Sequence, residues 1–89
     1  MSDAQIKAVA ATGDITTGDS YLHCVILTGG SDAATAVVKA GGSGGVTVLT
    51  LKAATATSVS TGALGPAYCE NGIHVTLTGT APAFTATFE

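Results

Sequence analysis

The fold of this chain is decided near its end, where residues 73–78 read IHVTLT. Apolar and polar residues alternate there. A period of two residues is the signature of a β-strand, because successive side chains point to opposite faces. One face carries Ile73, Val75 and Leu77, and the other carries His74, Thr76 and Thr78. We expect the first set to lie in a hydrophobic core and the second to face solvent or a partner.

The next stretch, AFTATFE at residues 83–89, repeats the alternation. Phe84 and Phe88 fall on one face, which brings both phenylalanines of the chain together. Large side chains remove the most apolar surface from water, so we predict that the core is anchored by Ile73, Val75, Leu77, Phe84 and Phe88. The opposite face carries Thr85 and Thr87, which form either a recognition surface or an ordinary row of strand residues.

Further strand patterns precede these two. Residues 21–27 are apolar on both faces, which is typical of a central strand. Strands are also predicted over residues 34–39 and 46–52, with GGSGG at residues 41–45 as their hairpin loop. Weaker strands are expected over residues 6–11 and 57–60.

Turn residues separate these patterns, at positions 12–14, 17–19, 28–32, 62–66, 70–72 and 79–82. Strands at this spacing, without a helical pattern, predict one all-β domain over residues 1–89. We expect a small antiparallel β-sandwich or barrel, of jelly-roll or immunoglobulin-like type, with about seven or eight strands.

One internal similarity appears at an offset of fifty residues. The segment VILTGGSDAATA at residues 25–36 resembles VTLTGTAPAFTA at residues 75–86. We expect two similar hairpins. They arise either from duplication of half a sandwich or from convergence of Thr-Gly turns in a composition with few residue types.

The charge and apolar composition point to contacts with other protein. Charged residues make up 10% of the chain, against about 25% in ordinary soluble domains. Apolar residues reach 46%, but aromatics supply only 4%, so the core should be thin and completed by association. Because of the thin core and the low charge, we expect a homo-oligomer. The net charge is −3, and Lys7, Lys39 and Lys52 are scattered, so we expect no binding to nucleic acid.

The hydropathy pattern predicts neither a membrane span nor a secretory signal. Mean hydropathy is +0.49, yet no apolar run approaches the roughly 20 residues that cross a bilayer. The start, MSDAQ, lacks the basic and apolar regions of a signal peptide. Either the chain is cytoplasmic or a signal has already been removed, and the retained Met1 favours synthesis in the cytoplasm. We expect no contact with a membrane.

The residues that most often carry chemistry do not form a recognisable motif. A zinc site needs about four ligands, but His23 and Cys24 are adjacent and should point to opposite faces of a strand. Cys69 and His74 flank a turn without any Cys-x-x-Cys pair. The histidines have no acid that the sequence obliges them to meet, and no nucleophile motif is present. We expect no metal, no cofactor and no enzymatic activity.

Two cysteines and two tyrosines leave alternatives open. Cys24 and Cys69 are either free thiols, an intramolecular disulfide or the source of a bond between subunits. Tyr68, beside a turn, is either a binding anchor or a residue that packs at the rim of the sandwich, and Tyr21 is the only other tyrosine.

From Tyr21 onward the sequence resembles a family of small β-sandwich proteins found among the virion structural components of tailed bacteriophages. The resemblance lies in residues 25–34, 44–54 and 71–80, roughly half of the chain. It implies a capsid decoration (cement) protein that binds and stabilises the outer shell, with the major capsid protein as partner and the virion as location. The alternatives are a collar, tail, spike or fibre component, or a module that binds a carbohydrate or receptor on the host surface.

Overall fold

The computed structural model describes residues 5–62 and 67–89, which form nine β-strands. The strands are β1 (Gln5–Val9), β2 (Gly13–Thr16), β3 (Ser20–Thr28), β4 (Ala34–Ala40), β5 (Val46–Ala53), β6 (Ser58–Ser60), β7 (Ala67–Cys69), β8 (Ile73–Thr78) and β9 (Ala83–Phe88). The predicted all-β fold is confirmed. The described residues include no helix that could span a membrane.

The strands form two antiparallel sheets. One has the order β1-β9-β3-β6, with β7 paired to the other end of β3, and the second has the order β2-β8-β4-β5. The chain changes sheets at most connections, and its first and last strands are neighbours. With β7 set aside, this is the strand order of a jelly roll. The shortest dimension, 16 Å, fits two sheets about 10 Å apart.

A single hydrophobic core lies between the sheets and contains four of the five predicted anchors. Ile73, Val75 and Phe84 are fully buried, and Phe88 is 7% exposed. Leu77 is half-buried and packs against the edge of the core. Both sheets contribute alternate residues, as the period of two requires. The other buried core residues are all aliphatic or cysteine, and most are alanine, valine or cysteine. They are Ile15, Leu22, Val25, Leu27, Ala34, Ala36, Val38, Ala53, Cys69 and Ala86.

The two similar segments are not hairpins, and that prediction was wrong. Residues 29–33 carry the chain from β3 in one sheet to β4 in the other, and residues 79–82 carry it back from β8 to β9. We call these two connections the arches. Because β3 pairs with β9 and β4 pairs with β8, the arches lie side by side at one end of the sandwich.

Glycine is needed where the arches touch. A Cβ atom on Gly30 would collide with the carbonyl oxygens of Thr80 and Ala81. A Cβ on Gly79 would lie 2.7 Å from the carbonyl oxygen of Ala33, and Gly79 also has a φ of +111°. The glycine that matches Gly79 in the offset of fifty residues is Gly29, and a Cβ there would collide with the carbonyl oxygen of Ala54 instead of the other arch. Gly30 therefore makes its contact outside the Thr-Gly similarity.

Two short strands were not predicted. Gly13 and Asp14, expected in a turn, pair with Val75 and His74 as part of β2. Strand β7 is only three residues long, and the turn expected at residues 62–66 lies largely outside the described residues. Short edge strands have too few residues to show a period, so pairing with a longer neighbour decides them.

Candidate functional site

Each histidine meets a carboxylate, contrary to the sequence expectation. His74 Nδ1 lies 2.8 Å from Asp14 Oδ1, its cross-strand neighbour. His74 is 7% exposed, because Asp14 on one side and Lys39 on the other flank it in the sheet. A residue expected on an open face is thus covered. The pair ties edge strand β2 to β8.

His23 lies in a β-bulge, which corrects the expectation that it and Cys24 face opposite ways. The bulge falls between Leu22 and Cys24, and both Leu22 and Val25 are fully buried. The two residues between them therefore lie on the outward side of the strand. His23 Nε2 is 3.3 Å from Glu89 Oε1, but it lacks hydrogen-bond alignment and has no other partner in the described chain. We regard the contact as an ion pair when the imidazole is protonated.

The cysteines are both free thiols. Cys69 lies in the core at 0% exposure, and burial raises the pKa of its thiol. Cys24 is half-buried, with its sulfur 3.7 Å from Ser60 Oγ. The intramolecular disulfide is therefore not formed. Among the described residues, no three His, Cys, Asp or Glu side chains converge as a metal site.

The most distinctive surface feature is a pair of tyrosines. Tyr21 on β3 and Tyr68 on β7 are register partners, their ring centroids are 5.2 Å apart, and the planes are tilted by 50°. The rings are half exposed, at 46% and 53%. The pairing depends on β7, so the sequence could show two tyrosines but not their contact.

Acidic and amide groups surround this pair. The Asp19 carboxylate raises the pKa of Tyr68, chiefly through hydrogen bonding to the neutral phenol, with smaller effects from desolvation and from Glu70. The Asp19 carboxylate is thus placed to act as an acceptor for the Tyr68 hydroxyl. Asp19 Oδ1 does accept a 2.8 Å hydrogen bond from the backbone N–H of Asn71.

An open cleft of about 490 Å³ begins at Tyr68. One wall is formed by glycines of the β4–β5 loop and by Val46, and the other by Tyr68, Glu70 and Asn71. The Gly41 N–H donates a 3.0 Å hydrogen bond to the Gly72 carbonyl, which joins the two walls. A second cleft, of about 580 Å³, lies beside β1 and the β2–β3 turn.

The β7–β8 turn shapes the first cleft, the one that begins at Tyr68. Asn71 and Gly72 have φ angles of +64° and +105°. Asn and Gly are the residues that adopt these angles most readily, and together they form a tight turn. A Cβ on Gly72 would lie 3.0 Å from the Cα of Thr17, so the turn packs directly on the neighbouring β2–β3 turn. We call Tyr21, Tyr68 and this adjoining cleft the tyrosine cleft.

Exposed apolar residues are found mainly at sheet edges. Ile6 on β1 is 73% exposed, and Val46 on β5 is 76% exposed. Val48 on β5 and Ile26 on the outer face of β3 are about 40% exposed. Strands β1 and β5 are the outermost strands of their sheets on these sides, so their edges carry unpaired backbone groups.

No protein-family model, curated protein or solved structure matches this chain.

Proposed function

We propose that this chain is a non-enzymatic structural protein of a bacteriophage particle, most specifically a capsid decoration protein that binds the outer shell. Its work is then done by contact with other protein. The observation that carries this proposal is the free edge of β5, on which Lys52 is the only charged residue. The family resemblance in the sequence supplies the phage assignment, and a jelly roll suits it because such domains are common in viral capsids.

The β5 edge has only part of the protection that free edges usually have. Monomeric proteins guard an edge with lysines, prolines, bulges or a covering segment. The strand VTVLTLKA has no proline, Lys52 near its end is its only charged residue, and its one bulge lies at Val48. Val46 and Val48 are exposed beside that edge. An edge of this kind favours strand addition from a partner, in which backbone hydrogen bonds supply the affinity.

The small core supports the same proposal. Two phenylalanines are the only aromatic residues in the core, and many other core members are alanine or valine. Binding to a shell would stabilise such a domain, because any partner that binds only the folded state shifts folding toward it. A second candidate, a host-surface binding module, is favoured by the exposed tyrosine pair alone.

Copy number in purified virions tests the proposal directly. Quantitative mass spectrometry should find this chain in hundreds of copies per particle if it decorates the capsid. A few to a few dozen copies would replace the decoration role by the collar, tail or spike alternative. Absence from purified virions would overturn the virion assignment itself.

The role of the β5 edge is tested by adding one charge. Val48→Lys should reduce binding to particles that lack the protein, because an edge lysine opposes strand pairing. The matched control is Ser31→Lys, which adds the same charge on an exposed arch residue. Equal binding by both variants would mean that another surface makes the contact.

A further inference from the structure

We infer that the tyrosine cleft binds a neutral saccharide, with one sugar ring stacked on Tyr68. This inference goes beyond the proposed structural function and does not depend on it. Sugar rings combine apolar C–H faces with hydroxyl groups at their edges. A site for them needs an exposed aromatic ring beside hydrogen-bonding groups in an open cleft.

The cleft supplies both parts. Tyr68 is 53% exposed and lines the cleft, which offers its ring as the stacking surface. Tyr21 does not line the cleft, but its ring lies 5.2 Å from that of Tyr68 and supports it. Glu70 and Asn71 line the same cleft and bring an acceptor and an amide to the edge of a stacked ring.

Two hydrogen bonds hold the walls of the site in place. The hydrogen bond from Asn71 N to Asp19 Oδ1 and that from Gly41 N to Gly72 O fix the turn and the loop that form its walls. Less conformational freedom is then lost on binding. The loop wall is made largely of glycines, whose missing side chains leave the 490 Å³ cleft open to a sugar ring.

Charge selects the class of saccharide. Glu70 lines the cleft, Asp19 lies beside Tyr68, and no lysine is among the described lining residues. An anionic sugar would meet like charge, and the lysine that reaches the loop wall, Lys39, already donates a 3.1 Å hydrogen bond to the Ser43 carbonyl. The tyrosine cleft should therefore accept neutral glycans and reject uronic acid polymers.

The composition of the chain allows a direct assay. The protein has no tryptophan, and Tyr21 and Tyr68 are its only tyrosines, so its intrinsic fluorescence reports on this site alone. The probes are maltohexaose, cellohexaose and chitohexaose, with polygalacturonate as the anionic comparison. We expect saturable changes with at least one neutral probe. Amide NMR shifts should be confined to the β4–β5 loop, residues 67–72 and the contacting residues 19–21.

Two variants, each with a matched control, separate binding from folding. Tyr68→Ala should weaken binding at least about tenfold, whereas Tyr68→Phe should stay within about threefold because the ring remains. Gly44→Gln should also weaken binding at least about tenfold by filling the cleft. This substitution should not disturb the fold, because a Cβ at Gly44 would have no atom within 4 Å and the φ of Gly44 is not positive. Gly18→Gln, at an equally open glycine, is the matched control.

Several results would overturn the inference. They are the absence of any change with the three neutral probes at millimolar concentration, shifts elsewhere on the molecule, or unaltered binding by Gly44→Gln. Preference for polygalacturonate would also contradict it. None of these measurements uses virions, so a failure here leaves the decoration proposal standing, and absence from virions leaves the saccharide site standing.

Discussion

Replacing Gly30 by alanine should test the packing of the arches. The new methyl group would collide with the carbonyl oxygens of Thr80 and Ala81. These are backbone atoms, so the collision is relieved only by separating the arches. Overpacking of this kind costs about 1–3 kcal/mol. Separation would also strain the 2.9 Å hydrogen bond from Thr80 Oγ1 to Asp32 Oδ2, so we expect the upper part of that range.

This loss is large for such a small domain. At about 0.05–0.15 kcal/mol per residue, a chain of 89 residues has a free energy of unfolding of about 4–13 kcal/mol. Urea unfolding followed by tyrosine fluorescence measures the loss as a lower midpoint at an unchanged slope. The same two tyrosines report here, and circular dichroism checks that the transition is global.

Two other glycines serve as controls. Gly42 has a φ of +88° and no atom within 4 Å of a Cβ, so Gly42→Ala introduces backbone strain alone, about 1–2 kcal/mol. Gly18 has neither strain nor crowding, so Gly18→Ala should change stability by no more than about 0.5 kcal/mol. If Gly30→Ala proved as mild as Gly18→Ala, the arches would not be in contact.

Three further predictions concern the core, a thiol and a phenol. Phe84→Ala, at a fully buried ring, should cost about 3–5 kcal/mol, whereas Thr85→Ala on the outer face should cost less than about 0.5 kcal/mol; the reverse order in urea unfolding would invert the register of β9. Cys69, whose pKa is raised by burial, should be alkylated only on unfolding, and mass spectrometry that found it modified as fast as the other cysteine in the native protein would contradict its burial. The pKa of Tyr68 should lie above that of an ordinary tyrosine and fall in Asp19→Asn, measured by the absorbance of tyrosinate; an unchanged titration would exclude Asp19 as the cause.

The alternation of residues made the sheets and the inward faces predictable. Ile73, Val75, Phe84 and Phe88 were assigned to the core from their period alone, and they lie there because side chains in a strand must alternate. The loop at residues 41–45 was predictable for a similarly local reason, since its glycines interrupt two strand patterns.

Long-range pairing decided the remainder. The arches looked like hairpins because a Thr-Gly turn has the same local sequence whether the chain stays in one sheet or crosses to the other. Likewise, Asp14 reaches His74, and Tyr68 reaches Tyr21, only because short strands β2 and β7 pair with longer partners far along the chain. The sequence by itself thus determined which residues face inward, through the two-residue period of a strand. Only the tertiary structure decided which strands are neighbours, and with them the tyrosine cleft, because those contacts join segments whose local patterns carry no information about each other.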